Sequence, residues 1–159
     1  VTGRIRLEVA AANRHFYIED LGLRESVDEL DFSDRARWLL TMKDRLVLLT
    51  AAHFYHFADL VVEAWDGVPD DVGEQWDEQQ DAQVELTEGV VEVWELAAGH
   101  PSGGPVALVR AGTTRVRAYR AGGHDVATAA TGQDGLVHGV ERFLVQLWPD
   151  IQLSQPDLD

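Results

Sequence analysis

At 159 residues, with 45% apolar side chains and no cysteine, the chain has the size of one domain with a full core, and it excludes disulfides and thiolate metal sites. Its formal charge of −15 at pH 7 argues against nucleic acid or an anionic membrane surface as a partner. No stretch reaches the roughly 20 apolar residues that span a bilayer, and the opening "VTGRIRLEV" lacks an apolar core of signal-peptide length; with no cysteine to protect, the expected compartment is the reducing cytoplasm. A single lysine against twelve arginines points to GC-rich coding and a bacterial source.

The dominant hydrophobic period is two. "RIRLEV" places Ile5, Leu7 and Val9 opposite Arg4, Arg6 and Glu8, as a half-buried strand does. "RHFYIED" alternates again after "AAN", so the two predict an N-terminal hairpin. "SDRARWLLTMK" predicts a short helix capped by Ser33, because Ala36, Leu39 and Leu40 fall at helical spacing. "RLVLLTA" and "FADLVVEAWDG" read as buried strands. Residues 66–81, "DGVPDDVGEQWDEQQD", read as a long surface loop. "AQVEL" and "VVEVWEL" around Gly89 predict a second hairpin, with Val84 and Leu86 inward and Gln83 and Glu85 outward. "HPSGGP" reads as a turn and "VALVR" as a strand. "RVRAYRAGG" is a strand with Val116 and Ala118 opposite Arg115, Arg117 and Tyr119. "HDVATAATGQDG" reads as a loop, and "VERFLVQLWP" as a closing strand stopped by Pro149. The sum is an all-β, antiparallel β-sandwich of about eight or nine short strands with at most one or two short helices. It is expected to occupy residues 1–150 as one domain, with 151–159 as a loose tail.

Charge is unevenly spread along this scaffold. Residues 1–45 carry eight bases and nine acids, residues 46–109 no base and thirteen acids, and residues 110–159 five bases and six acids. The middle third therefore holds nearly all the excess, and residues 66–81 alone supply seven carboxylates around Trp76. Such a field attracts basic proteins and cations, although charge runs are also a common means of solubility. A tryptophan in a polar loop either packs down on the domain, the commoner case, or meets a partner.

Chemistry-bearing motifs are scarce. No nucleophile elbow, P-loop, HExxH or EF-hand loop is present, and the four serines lack the flanking glycines of a strained nucleophile. His53, His56 and Asp59 would share a face on a helix and suit a metal, but the stretch enters a strand, where the histidines point apart; no metal site is assigned. Asp70, Asp71, Glu74, Asp77 and Glu78 could gather as oxygen ligands for a cation, without the spacing of a calcium loop. No catalytic residue and no cofactor is expected.

The closing "RVRAYRAGG…VERFLVQLWP", after an early "FYIEDLG", resembles a set of short acidic bacterial proteins that end in a similar strand. More distantly, the whole order is similar to the inhibitor of the DNA-entry nuclease of competent bacteria, also a small β-rich domain with a hydrophobic strand and a tryptophan near its end. The resemblance implies an inhibitor or immunity-type protein and carries over no individual residue. Charge and resemblance together lead to a non-enzymatic domain that binds a basic protein through Asp70, Asp71, Glu74, Trp76, Asp77, Glu78, Asp81 and Glu85. The alternative is a small-molecule or cation-binding sandwich with its site between the sheets or in the acidic loop.

Overall fold

The computed structural model describes residues 1–21, 23, 33–34, 36–52, 54–95, 101–129 and 137–151. They form ten strands: β1 (Gly3–Ala11), β2 (His15–Asp20), β3 (Leu39–Met42), β4 (Arg45–Leu49), β5 (His56–Ala64), β6 (Glu78–Leu86), β7 (Val90–Trp94), β8 (Pro101–Ala107), β9 (Gly112–Ala121) and β10 (His138–Pro149), with a short helix α1 (Gly123–Ala129) before the last. Two five-stranded sheets result, in the orders β1-β5-β10-β9-β6 and β3-β4-β2-β7-β8. All pairs are antiparallel except β5 with β10, which run parallel from Asp59↔Arg142 to Ala64↔Leu147. The first sheet is thus mixed, a departure from the antiparallel expectation.

The alternation read from the sequence is what builds the core. Leu60 and Val62 of β5, Val116 and Ala118 of β9, Val84 and Leu86 of β6, and Phe143, Val145 and Leu147 of β10 turn inward from the first sheet. Phe16, Ile18, Leu46, Leu48, Val91 and Val93 meet them from the second. Phe16 and Trp38 both pack edge-on against Phe143, at 5.2 and 5.9 Å between ring centroids. β2 and β4 are buried along their whole length, because polar groups on the face away from the core pair with one another: Arg45 meets Glu19 at 3.3 Å and lies 5.4 Å from the Tyr17 ring.

The pairings differ from expectation in two places. β1 and β2 form no hairpin: β1 pairs β5 in one sheet and β2 pairs β4 and β7 in the other. The connection at Ala12–Arg14 is a corner between sheets, with Asn13 and Arg14 at positive φ. β6 and β7 likewise belong to different sheets, β6 beside β9 and β7 between β2 and β8. Asp20 fixes that second crossing by accepting hydrogen bonds from the Thr87 amide and hydroxyl, at 2.7 and 3.1 Å.

Three local expectations also change. Among the described residues no helix follows Ser33; an Asp34 turn, closed by the Ala36 amide at 3.0 Å, leads into β3, because Leu39–Met42 finds a ladder with β4. "PSGGP" is the first part of β8 rather than a turn. The first half of the loop expected at 124–135 is α1, and the remainder, like the tail beyond Ile151, lies outside the described residues. No helix among the described residues is long and apolar enough to cross a membrane.

Candidate functional site

The acidic segment divides in two. Residues 65–77 are a strap, and Glu78 already begins β6. The strap is locally ordered by its own chemistry. Gly73, at φ 81°, donates its amide to Asp71 Oδ1 at 3.1 Å, and the Gln75 side-chain amide donates to the Val72 carbonyl at 3.3 Å. Pro69 is buried while Asp70, Asp71 and Glu74 are exposed. Trp76 then packs down on the outer face of the first sheet: its ring lies 5.9 Å from that of Tyr119 and 5.3 Å from the Arg142 guanidinium. Asp77 closes the strap. Its amide donates to the Arg120 carbonyl at 3.0 Å, and its Oδ2 accepts from the Gly122 amide at 2.9 Å. Burial beneath this strap raises the Tyr119 phenol; Arg117 opposes that effect, and Asp71 and Asp81 add to it.

The carboxylates of β6 have a different fate. β9 supplies the bases that residues 46–109 lack. Glu78 meets Arg120 at 2.6 Å and Asp81 meets Arg117 at 3.1 Å, while Glu85 accepts from the Thr113 hydroxyl. These are cross-strand neighbours in register, the arrangement in which opposite charges stabilise a sheet. Of the eight residues expected at a partner surface, Asp77, Glu78, Asp81 and Glu85 therefore hold β6 and the strap to β9. Asp71 is engaged in its own turn. Asp70 and Glu74 make no hydrogen bond or ion pair among the described residues. Glu78→Gln and Asp81→Asn should each lower stability by up to about 1 kcal/mol in low salt, whereas Asp70→Asn with Glu74→Gln should leave it within about 0.5 kcal/mol. Urea denaturation of the two sets compares them directly; equal losses would mean that the β9 arginines do not discriminate between strand and strap.

The histidine stretch does not converge on a site. His53 is outside the described residues. His56 turns into the core, where its Nε2 lies 3.0 Å from Glu141 Oε2 with both side chains fully buried, while Asp59, an odd number of residues along the same strand, faces outward beside Gly139. Among the described residues no three His, Asp or Glu side chains gather as a metal requires.

What the sequence reading missed is the mount. Tyr119, Arg120, Arg142 and Gly122 position the strap, and they are distant from it in sequence. The alternation of "RVRAYR" put Arg117 and Tyr119 on one face, but nothing local said what that face would meet.

The architecture is that of a ten-stranded β-sandwich with one mixed sheet. No protein-family profile matches the chain, and no curated protein matches it. Two solved structures share its fold. One is ComJ from Bacillus subtilis, described as the inhibitor of the DNA-degrading activity of NucA, with a TM-score of 0.56 and 6% identity over 90% of this chain and 93% of that one. The other is described as crocagin biosynthetic gene J, with a TM-score of 0.60 and 14% identity over 93% and 97%. At these identities the likeness is one of fold.

Proposed function

We propose that the chain is a non-enzymatic, cytoplasmic inhibitor or immunity-type protein that docks a basic protein partner, such as a nuclease or toxin, with the strap 65–77. One observation carries this reading. Glu78 and Asp81 of β6 are neutralised by arginines of β9, whereas Asp70 and Glu74 stay exposed and without a partner among the described residues, on a strap tied down at Pro69, Trp76 and Asp77. Charge held on a mounted loop loses little entropy on binding and steers a basic partner toward it. The inhibitor role of the fold neighbour ComJ supports the same class of activity.

The test is kinetic. Proteins captured from the native host on immobilised chain are identified, and the most basic specific partner is studied at two salt concentrations. Asp70→Asn, Asp71→Asn and Glu74→Gln combined should slow association about tenfold at low salt and flatten its salt dependence, with the melting temperature unchanged. Trp76→Ala, by loosening the mount, should chiefly speed dissociation. An association rate untouched by the triple variant would leave the strap as a solubilising surface.

A further inference from the structure

A second feature lies beside the strap and has the opposite character. Where β6, β9 and β10 meet the first residues of the strap, the outer face opens into a cleft of about 410 Å³. Trp148, Pro149 and Ala82 supply apolar walls, and Val68 and Ile151 stand at the rim. These two are among the most exposed large apolar side chains of the described chain, at 72% and 56%. Large aliphatic groups held open at the mouth of a concave site are features that a ligand would cover.

The polar groups in the cleft are two arginines and two aspartates. Arg115 is held through Nε by Asp150 Oδ1 at 3.2 Å, and Arg117 through Nε by Asp81 Oδ1 at 3.1 Å. Arg117 also lies 5.6 Å from the Trp148 ring. Arg110 borders the adjoining hollow of about 320 Å³, which shares Asp150 and Ile151 with the first. Three arginines and two aspartates line the cleft and the hollow, and Glu85 reaches the hollow through the Thr113 hydroxyl, so this corner is balanced in a chain whose net charge is −15. Arg115 is half exposed. Asp150 is the one partner of the Arg115 guanidinium among the described residues, and the head of Arg110 has none there. A guanidinium fixed at Nε keeps the planar fork that recognises a carboxylate.

From this geometry we infer that the cleft binds an amphipathic monocarboxylate, its carboxylate on Arg115 and Arg110 and its apolar group against Trp148, Val68 and Ile151. A single carboxylate matches the paired donors of two neighbouring guanidinium groups. A polyanion would meet Asp81, Asp150 and the acidic remainder of the chain, so phosphate-rich ligands are disfavoured. The site shares Gly67 and Val68 with the strap but uses none of its carboxylates, and it does not depend on the inhibitor reading. The same chemistry is offered by a free branched-chain acid and by a protein C-terminus ending in an apolar residue.

The experiment titrates the full chain with 4-methylpentanoate and 4-methylpentanamide, following the backbone amide resonances of Trp148 and Ile151. A second arm uses a hexapeptide ending in leucine, with a free or an amidated terminus. Saturable binding of the acid is expected with a Kd on the order of 1–10 mM, the range open to a ligand of so few atoms, and the amide should bind at least about fivefold more weakly. Arg110→Gln with Arg115→Gln should weaken the acid about fivefold or more, and Ile151→Ser about twofold, without altering the fold. A free-terminus peptide that binds more tightly than the small acid identifies a chain terminus as the ligand; equal or weaker binding identifies the free acid. Absence of saturation by both free acids up to about 50 mM, equal binding of acid and amide, or indifference to the arginine variant overturns the assignment.

Discussion

Replacing His56 by leucine should cost about 3–5 kcal/mol, because it strands the Glu141 carboxylate in the core. The pair is fully buried at 3.0 Å, and Glu141 Oε1 also accepts the Ala51 amide at 2.9 Å. His56 Nδ1 faces the Phe54 carbonyl at 3.1 Å. Both ring nitrogens therefore face acceptors, which is the environment of an imidazolium. Burial pulls the His56 pKa down, but the Glu141 hydrogen bond, the Phe54 carbonyl and the Glu141 charge together pull it further up, so it lies above its ordinary value. The sign follows. The folded state holds this proton more tightly than the unfolded chain, so the pair's contribution is complete below the ordinary histidine value of about 6.5 and is lost as pH rises from there through the folded pKa. Urea midpoints should fall with rising pH across that window, and His56→Leu should remove the slope. Adding Glu141→Gln to His56→Leu should restore much of the lost stability, since the amide can still accept from Ala51 and no charge is left buried. A double variant no more stable than the single one would place the cost in packing instead of charge.

How far the sequence reaches is shown by β6. Its inward Val84 and Leu86 and outward Gln83 and Glu85 followed from period two, and burial agrees. Its partner did not follow, because alternation assigns faces and is silent on neighbours. Gly89 flanked by alternating runs satisfies a hairpin and a corner between sheets equally well. The choice was made by contacts such as Asp20 to Thr87, 67 residues apart, and by the β9 arginines lying opposite Glu78 and Asp81. The same holds at Asn13 and Arg14, where two non-glycine residues at positive φ carry the crossing from β1 to β2. For the candidate site, the excess acidity of the middle third was legible from composition. Its division was not: only tertiary pairing shows that Asp81 belongs to Arg117 while Asp70 is left to solvent. α1 escaped for another reason. "GHDVATA" has one large apolar residue, Val126, and that single buried side chain gives no period to read.

Gly122→Ala should be at least as disruptive as any single change in the first sheet. Gly122 follows β9 directly at φ 76°, a conformation costing a side-chain-bearing residue about 1–3 kcal/mol. A Cβ there would also fall on the Val140 carbonyl oxygen, a backbone atom of the neighbouring β10. Neither group can swing aside as a flexible side chain would, so strain and overpacking add, and a loss of about 3 kcal/mol or more is expected. For a chain of this length that lowers the melting temperature by about 6–12 °C. Two alanine controls separate the causes. Gly104 has φ 83° and no atom near its Cβ position, so Gly104→Ala should show the conformational cost alone, about 1 kcal/mol. Gly67 has open space and no positive φ, so Gly67→Ala should be neutral or slightly stabilising. The Gly122 amide is also the donor to Asp77 that closes the strap. Its displacement should therefore raise the hydrogen-exchange rate of the Asp77 amide by more than the global loss accounts for, as local opening does. Should Gly122→Ala melt within about 2 °C of Gly104→Ala, the close approach of β9 to Val140 contributes nothing, and the strap's anchor must be sought at Trp76.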